Sequence, residues 1–242
     1  PLGVRLKNAS SDGSKASYGP NCDVIGLRAT LEAAKAHPPS TAKLGRNQGR
    51  GVACGGWFNF GGETSVSLNV SADGTIGLSV GTPDIGGSRA SIGNMAAEEL
   101  GVPYDKVRCI IADTASLGYN DVTDGSRVTF ASGLAAINAA RDAIGKMCER
   151  AAGIWGIPVE AVTWEDGAAR PSSPNAGKHE PLTLADIAAQ AGATGGPISG
   201  HCEINAEGAG VSFATHMVDT EVDPDTGYVK ILRYTVFQDA GK

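Results

Sequence analysis

Aromatic residues are scarce in this 242-residue chain, at 5%, and its five cysteines form no Cys-x-x-Cys pair. Cys22, Cys54, Cys109, Cys148 and Cys202 are too scattered for a disulfide framework, a zinc site or an iron–sulfur ligand set. Their spacing fits the reduced thiols of a cytoplasmic protein. No Lys/Arg stripe is visible and the net charge is -6, which argues against binding nucleic acid, because replacing phosphate counterions requires a basic face. A local basic site for one small anion stays open. No apolar run approaches the roughly 18 residues that span a bilayer, and no signal-peptide pattern is present, so no membrane partner is expected.

Glycine, by contrast, is abundant at 34 residues, and 41% of the chain is hydrophobic. That is enough apolar material for a core, with many tight turns and close backbone approaches rather than long smooth helices. The length suits one large domain or two small ones. The chain opens without methionine and stops just after a β-branched run, which reads as a piece of a longer protein.

Residues 1–25 read as irregular apart from a short amphipathic opening, and Leu27 to Ala36 has helical spacing ended by Pro38-Pro39. Gly51 to Phe60 reads as a buried strand, with Cys54, Trp57 and Phe58 as core residues. Val66, Leu68 and Val70 alternate with polar residues, as do Ile76, Leu78 and Val80; Asp73-Gly74 between them predicts a β-hairpin. A helix from Ala90 to Leu100, a strand from Val107 to Ala112 and a long alanine-rich helix from Val128 to Trp155 follow. The stretch 164–181 reads as loop, and Leu182 to Gln190 as a helix opened by Thr183 with Asp186 three residues on. Two final strands, Val211 to Val222 and Tyr228 to Phe237, are joined by the turn Asp223-Pro224-Asp225-Thr226-Gly227. The sum predicts an α+β fold, a two-layer sandwich with a mixed, mostly antiparallel sheet and helices on one face.

Two glycine-rich loops stand immediately before helices: Gly86-Gly87-Ser88-Arg89 and Asp124-Gly125-Ser126-Arg127. Helix starts present unpaired N–H groups and partial positive charge, glycine permits close approach, Ser adds a hydroxyl, and Arg offers a fork for phosphate. Two such starts suit one extended polyanionic ligand, although Gly-Ser before a helix is also an ordinary turn and cap. Neither loop matches the phosphate-binding Walker pattern or the dinucleotide fingerprint. His201, Cys202 and Glu203 stand together, but neighbouring strand residues face opposite ways, which argues against a metal site. His216 in its strand, Glu98-Glu99 in mid-helix and Glu207 in a loop read first as structural or surface residues.

The order of these motifs resembles the large subunit of molybdenum hydroxylases, the xanthine dehydrogenase and aldehyde oxidase family. The resemblance is carried by Val4-Arg5-Leu6-Lys7-Asn8, by Gly81 to Gly87 before a helix, by Asp113-Thr114, by Gly125-Ser126-Arg127 before a second helix, by Asp219 to Gly227 and by Gln238-Asp239-Ala240-Gly241. It implies a molybdenum–molybdopterin cofactor contacted by Gly86, Gly87 and Ser88 on the first loop and by Gly125, Ser126, Arg127 and Val128 on the second. It also implies oxidation of an aldehyde, a purine or other N-heterocycle, or carbon monoxide, with electrons leaving through iron–sulfur clusters to FAD on partner subunits or domains. Residues 1–50 would be a lead-in and 51–242 the molybdopterin-binding region, with 164–181 a candidate subdivision. Gly86 stands where many relatives carry a glutamine. The family's catalytic glutamate lies in a Gly-Glu segment near the C-terminus of the full subunit, expected to fall outside this chain, so no catalytic residue is assigned and the chain alone is expected to fold but turn over little substrate. A non-redox anion-binding module and a scaffold domain of the parent subunit remain as alternative readings.

Overall fold

The computed structural model describes residues 1–16, 19, 21–22, 24–113, 115–172, 176–208 and 211–240. The chain divides into two compact units, one made of Pro1–Asn59 with Ala209–Lys242, the other of Phe60–Gly208. The stretch 164–181 lies inside the second unit.

In the first unit, α1 (Leu2–Asn8) and α2 (Leu27–Ala36) precede β1 (Gln48–Phe58). Thr30, Leu31 and Ala34 recur along one face of α2 and are buried. The second unit begins with β2 (Gly62–Val70) and β3 (Ile76–Val80), joined as the expected hairpin with Val70 opposite Ile76. Within its turn only Gly74 takes a positive φ, of 79°, while Asp73 accepts hydrogen bonds from the Thr75 amide and hydroxyl. The chain continues through α3 (Ser88–Leu100), β4 (Val107–Ile111) and one π-helical turn at Val128–Ser132 into α4 (Gly133–Trp155). Then come β5 (Val162–Glu165), β6 (Ala168–Pro171), β7 (Leu182–Thr183), α5 (Leu184–Ala189), α6 (Ala191–Thr194) and β8 (Ile198–Ala206). The first unit is completed by β9 (Val211–Val222) and β10 (Val229–Asp239).

Among the described residues three sheets result. The first unit holds β1-β9-β10, all antiparallel. The second holds β4-β3-β2-β8, in which only the β3–β4 pair is parallel, and a small β5-β6-β7 sheet. The architecture is therefore α+β with mixed, mostly antiparallel sheets. The core of the second unit forms where the alternating inner face of β2 and β3 (Val66, Leu68, Ile76, Leu78, Val80) meets α3 and the alanine face of α4. Alanine lets the helix lie close: a Cβ on Gly200 of β8 would collide with the carbonyl oxygen of Ala139.

Two expectations need correction. β1 is a strand but is not buried: Cys54 is exposed, Trp57 is 59% exposed and Phe58 is only partly covered. Its glycines and Ala53 bring little side-chain surface to bury, and a strand reads as core from sequence only if both faces are covered. The stretch 164–181, read as loop, holds the turn and the second strand of the β5–β6 hairpin. Its turn is the dipeptide Asp166-Gly167, with φ of 49° and 73°, the both-positive pattern of a two-residue hairpin. That signal stands in the sequence between alternating Val162, Trp164 and Ala168.

Candidate functional site

Strands β3 and β4 run parallel, with Val80 opposite Ile111 and the Ala112 amide donating to the Val80 carbonyl at 2.9 Å. The loops that follow them therefore leave from the same end of the sheet. They also touch, because a Cβ on Gly81 of the first loop would collide with the Asn120 side chain of the second. The helices that follow pack together as well: Met95 Sδ of α3 would lie 2.5 Å from a Cβ on Gly133, the first residue of α4. Parallel-strand ends that carry loops running into helix starts are where α/β sheets bind ligands, since main-chain N–H groups converge there.

The first loop is open. Gly86 and Gly87 have φ of 70° and 84°, and a Cβ on either would meet nothing within 4 Å. Their glycine character thus answers to backbone conformation and to what approaches from outside, not to internal packing. Gly87 is the N-cap of α3 and has no side chain to cap it. Asp84 folds back instead: its carboxylate accepts from the Arg89 amide at 3.1 Å and pairs with the Arg89 guanidinium at 3.4 Å. Part of the positive helix start is therefore already met by the chain's own carboxylate, and Arg89 is engaged with it.

The second loop is laced to the start of β2. The Phe60 amide donates to the Gly125 carbonyl at 2.9 Å, and the Asp121 amide to the Glu63 carbonyl at 2.9 Å. Gly125 and Ser126 both hold φ near 60°, and a Cβ on Gly125 would collide with the Phe60 ring. Arg127 is 1% exposed. Its Nε donates to the Gly61 carbonyl at 2.8 Å, Nη1 to those of Asp121 and Val122 at 2.9 and 3.4 Å, and Nη2 to the Glu63 carbonyl at 3.0 Å and to Thr64 Oγ1. A guanidinium has five N–H donors, so these bonds use them all. The phosphate fork expected from the sequence is turned inward. Its acceptors come from residues 61–64 and 121–122, a pairing that local sequence does not reveal. Val128 is also buried and opens the π-helical turn that leads into α4.

Around these loops, the buried hydroxyls of Thr82, Thr123 and Ser132 have no hydrogen-bond partner among the described residues, as has Ser65 on β2. Thr82 and Ser132, at 1% and 0% exposure, lie beside the first loop and just after the second. Unsatisfied buried hydroxyls are costly, and three of them at two adjoining loops fit a seat for a polar ligand. Open glycine backbone, two adjacent helix starts and unsatisfied hydroxyls together suit a phosphate-bearing organic cofactor. Among the described residues no group of three or more His, Cys, Asp or Glu side chains converges to hold a bare metal ion.

This arrangement matches a known family across most of the chain: residues 25–242 match the molybdopterin cofactor-binding domain. The chain belongs to that family. Similar solved structures are a CO dehydrogenase from Oligotropha carboxidovorans (18% identity, TM-score 0.80, 99% of this chain and 34% of that one) and quinoline 2-oxidoreductase from Pseudomonas putida 86 (16%, TM-score 0.77, 100% and 34%). An aldehyde oxidoreductase from Desulfovibrio gigas matches at 18% identity and TM-score 0.64, over 99% of this chain and 26% of that one. The chain spans about a third or less of the length of these proteins. As a molybdopterin-binding domain, it carries both glycine loops within its second unit.

The remaining candidates sit elsewhere. His201 and Glu203 share one face of β8, with Nε2 and Oε1 3.3 Å apart, while His201 Nδ1 lies 3.0 Å from Ser67 Oγ. Glu99 pairs with Arg141 at 2.7 Å, Glu98 and Glu207 are exposed, and His216 Nδ1 lies 3.0 Å from the Tyr234 hydroxyl. Thr114 and Gly241, which belong to the family-like motifs, lie outside the described residues. No helix among the described residues is long and apolar enough to cross a membrane.

Proposed function

We propose that the chain is the cofactor-holding portion of a molybdenum hydroxylase, with the first loop (Gly86, Gly87, Ser88) and the second (Gly125, Ser126, Arg127, Val128) flanking the molybdopterin and its phosphate. The observation that carries this reading is that both loops leave the same end of the parallel β3–β4 pair and come into contact. When bound, the cofactor supplies oxidation by molybdenum, by which an aldehyde, an N-heterocycle or carbon monoxide gives up electrons.

The chain's own residues supply position. Main-chain N–H groups at the α3 start would meet the anionic tail, and the left-handed Gly86 and Gly87 let it approach without side chains in the way, while on the second loop the Gly125 amide is held by the Asp124 carboxylate at 2.7 Å. Glutamine at position 86 would pay for a left-handed backbone, about 1 kcal/mol, so glycine there keeps the loop unstrained. The base that activates the oxygen nucleophile would come from outside these residues. Electrons would pass to iron–sulfur and FAD partners, with the rest of a large subunit completing the pocket around a small-molecule substrate in the cytoplasm.

The test is the molybdenum and pterin content of the full assembly, purified from a cofactor-competent host, with Gly87→Val and Ser126→Ala beside the wild type. Near-stoichiometric cofactor that falls sharply in Gly87→Val supports the reading. A wild-type assembly without molybdenum would overturn it.

A further inference from the structure

Arg127 presents a problem that cofactor contact does not solve. A full positive charge lies at 1% exposure, and among the described residues no ion pair reaches it. Burial pulls its pKa down, while the nearby charges of Asp121 and Tyr119 act in the opposite sense. An arginine keeps its proton throughout the accessible pH range, so the cation stays and is solvated by carbonyl dipoles.

Those carbonyls, with the Thr64 hydroxyl, belong to two segments, 61–64 before and within β2 and 121–122 in the second loop. The guanidinium thus joins the loop to the sheet at five points, beside the Phe60–Gly125 and Asp121–Glu63 main-chain bonds. Gly62, at φ 97°, keeps room for the Asp121 carboxylate beside the guanidinium: a Cβ there would lie 2.7 Å from Asp121 Oδ2 and 3.4 Å, an ordinary contact, from Arg127 Nε. The result is a pinned pair of left-handed residues, Gly125 and Ser126, directly ahead of the arginine. Because C=O and N–H of a trans peptide point opposite ways, each carbonyl drawn toward Arg127 turns the next N–H away from it. The Val122 amide, following one such carbonyl, donates to Asp121 Oδ1 at 2.7 Å.

We propose that Arg127 is a positioning residue for the cofactor's phosphate: it does not touch the ligand, but pins the Gly125–Ser126 turn and lays a fixed positive charge beneath it. The proposal rests on the functional reading above. It gives Arg127 geometry and field rather than contact, behind a turn whose buried Gly125 donates its own amide to the Asp124 carboxylate at 2.7 Å.

The experiment compares the full assembly as wild type, Arg127→Lys, Arg127→Met and Thr64→Val, measuring pterin content and the amide hydrogen exchange of residues 121–127. Loss of the fork should speed exchange across 121–127 by about 10-fold or more in Arg127→Met, because several main-chain acceptors are left unpaired. Arg127→Lys keeps the charge but loses the fork, so it should fall between wild type and Arg127→Met in both readouts. Thr64→Val, which removes one acceptor of five, should shift both slightly in the same direction. If Arg127→Met does not fold, the other two variants carry the same comparison.

An arginine that grips the phosphate directly would lose pterin with exchange in 121–127 unchanged, and that result overturns the proposal. So does an Arg127→Met assembly with wild-type pterin content, which leaves the functional reading standing. A wild-type assembly lacking pterin removes the reading itself, and the proposal with it.

Discussion

Arg50 and Asp219 lie directly opposite each other on β1 and β9 and are joined by two hydrogen bonds, Nε to Oδ1 at 2.6 Å and Nη2 to Oδ2 at 3.0 Å. Asp219 is 8% exposed. The fork of Arg50 matches the carboxylate, and Arg233 adds a longer contact at 3.9 Å.

Asp219 should therefore give the first unit an acid-sensitive bond. Its side-chain bonds to Arg50, opposed by burial and reinforced by the charges of Arg50 and Arg233, hold its pKa below the usual carboxylate value. A depressed folded-state pKa means that the unfolded chain takes up the proton first as pH falls. The stabilisation is present above the unfolded-state pKa, about 3.9 for aspartate, and is lost as pH falls through the folded value. Asp219→Asn should cost about 2–4 kcal/mol at neutral pH and flatten that acid limb. Urea unfolding from pH 7 to pH 2.5 checks this; equal slopes in variant and wild type would refute it.

The glycines of the two loops should respond differently to alanine. Gly125→Ala meets both a left-handed φ and the Phe60 ring, and should destabilise by about 3 kcal/mol or more. Gly86→Ala meets only the backbone cost, about 1 kcal/mol. Thermal unfolding separates the two. Equal losses would show that the first loop is packed rather than open.

Gly200→Ala should damage the core of the second unit. The added methyl would strike the Ala139 carbonyl of α4, a main-chain atom that cannot rotate away. Overpacking of this kind costs about 1–3 kcal/mol or more. A midpoint of chemical denaturation within error of wild type would mean that α4 and β8 slide apart freely.

Thr183 and Asp186 close a reciprocal capping box at the start of α5, with the Thr183 hydroxyl accepting from the Asp186 amide at 3.2 Å and Asp186 accepting from the Thr183 amide at 3.0 Å. Thr183→Ala should lower stability by about 1 kcal/mol and raise the Asp186 pKa, since the Thr183 hydroxyl is the largest cause of its depression. Carboxyl NMR titration of Asp186 reads the second effect, and an unmoved titration would contradict the assigned cause.

Thiol chemistry should single out Cys54. Cys109 is pushed up to about 11 by burial, opposed by the charge of Arg89, so few of its molecules carry the reactive thiolate at pH 8. Cys54 is exposed. Iodoacetamide labelling at pH 8 followed by peptide mapping should mark Cys54 well before Cys109, and the reverse order would place Cys109 in a different environment.

Local chemistry alone determined much of this protein. Asp-Gly turns, the proline stop after Ala36, the Thr183–Asp186 box and the alternation through Val66–Val70 and Ile76–Val80 are short-range features, each with one favoured backbone answer. The two glycine loops ahead of helices were legible for the same reason, as was the resemblance they carry. Tertiary structure decided what no local pattern encodes. Arg127 looks like a free phosphate fork until residues 61–64, far away in sequence, bring it their oxygens. Trp57 looks like core until β1 is found with an uncovered face. The closeness of the loops depended on β3 and β4 pairing in parallel, with Val107 and Cys109 of β4 packed in the core beside α3. Burial and long-range pairing are properties of the whole packed chain, so they appear only when it is folded.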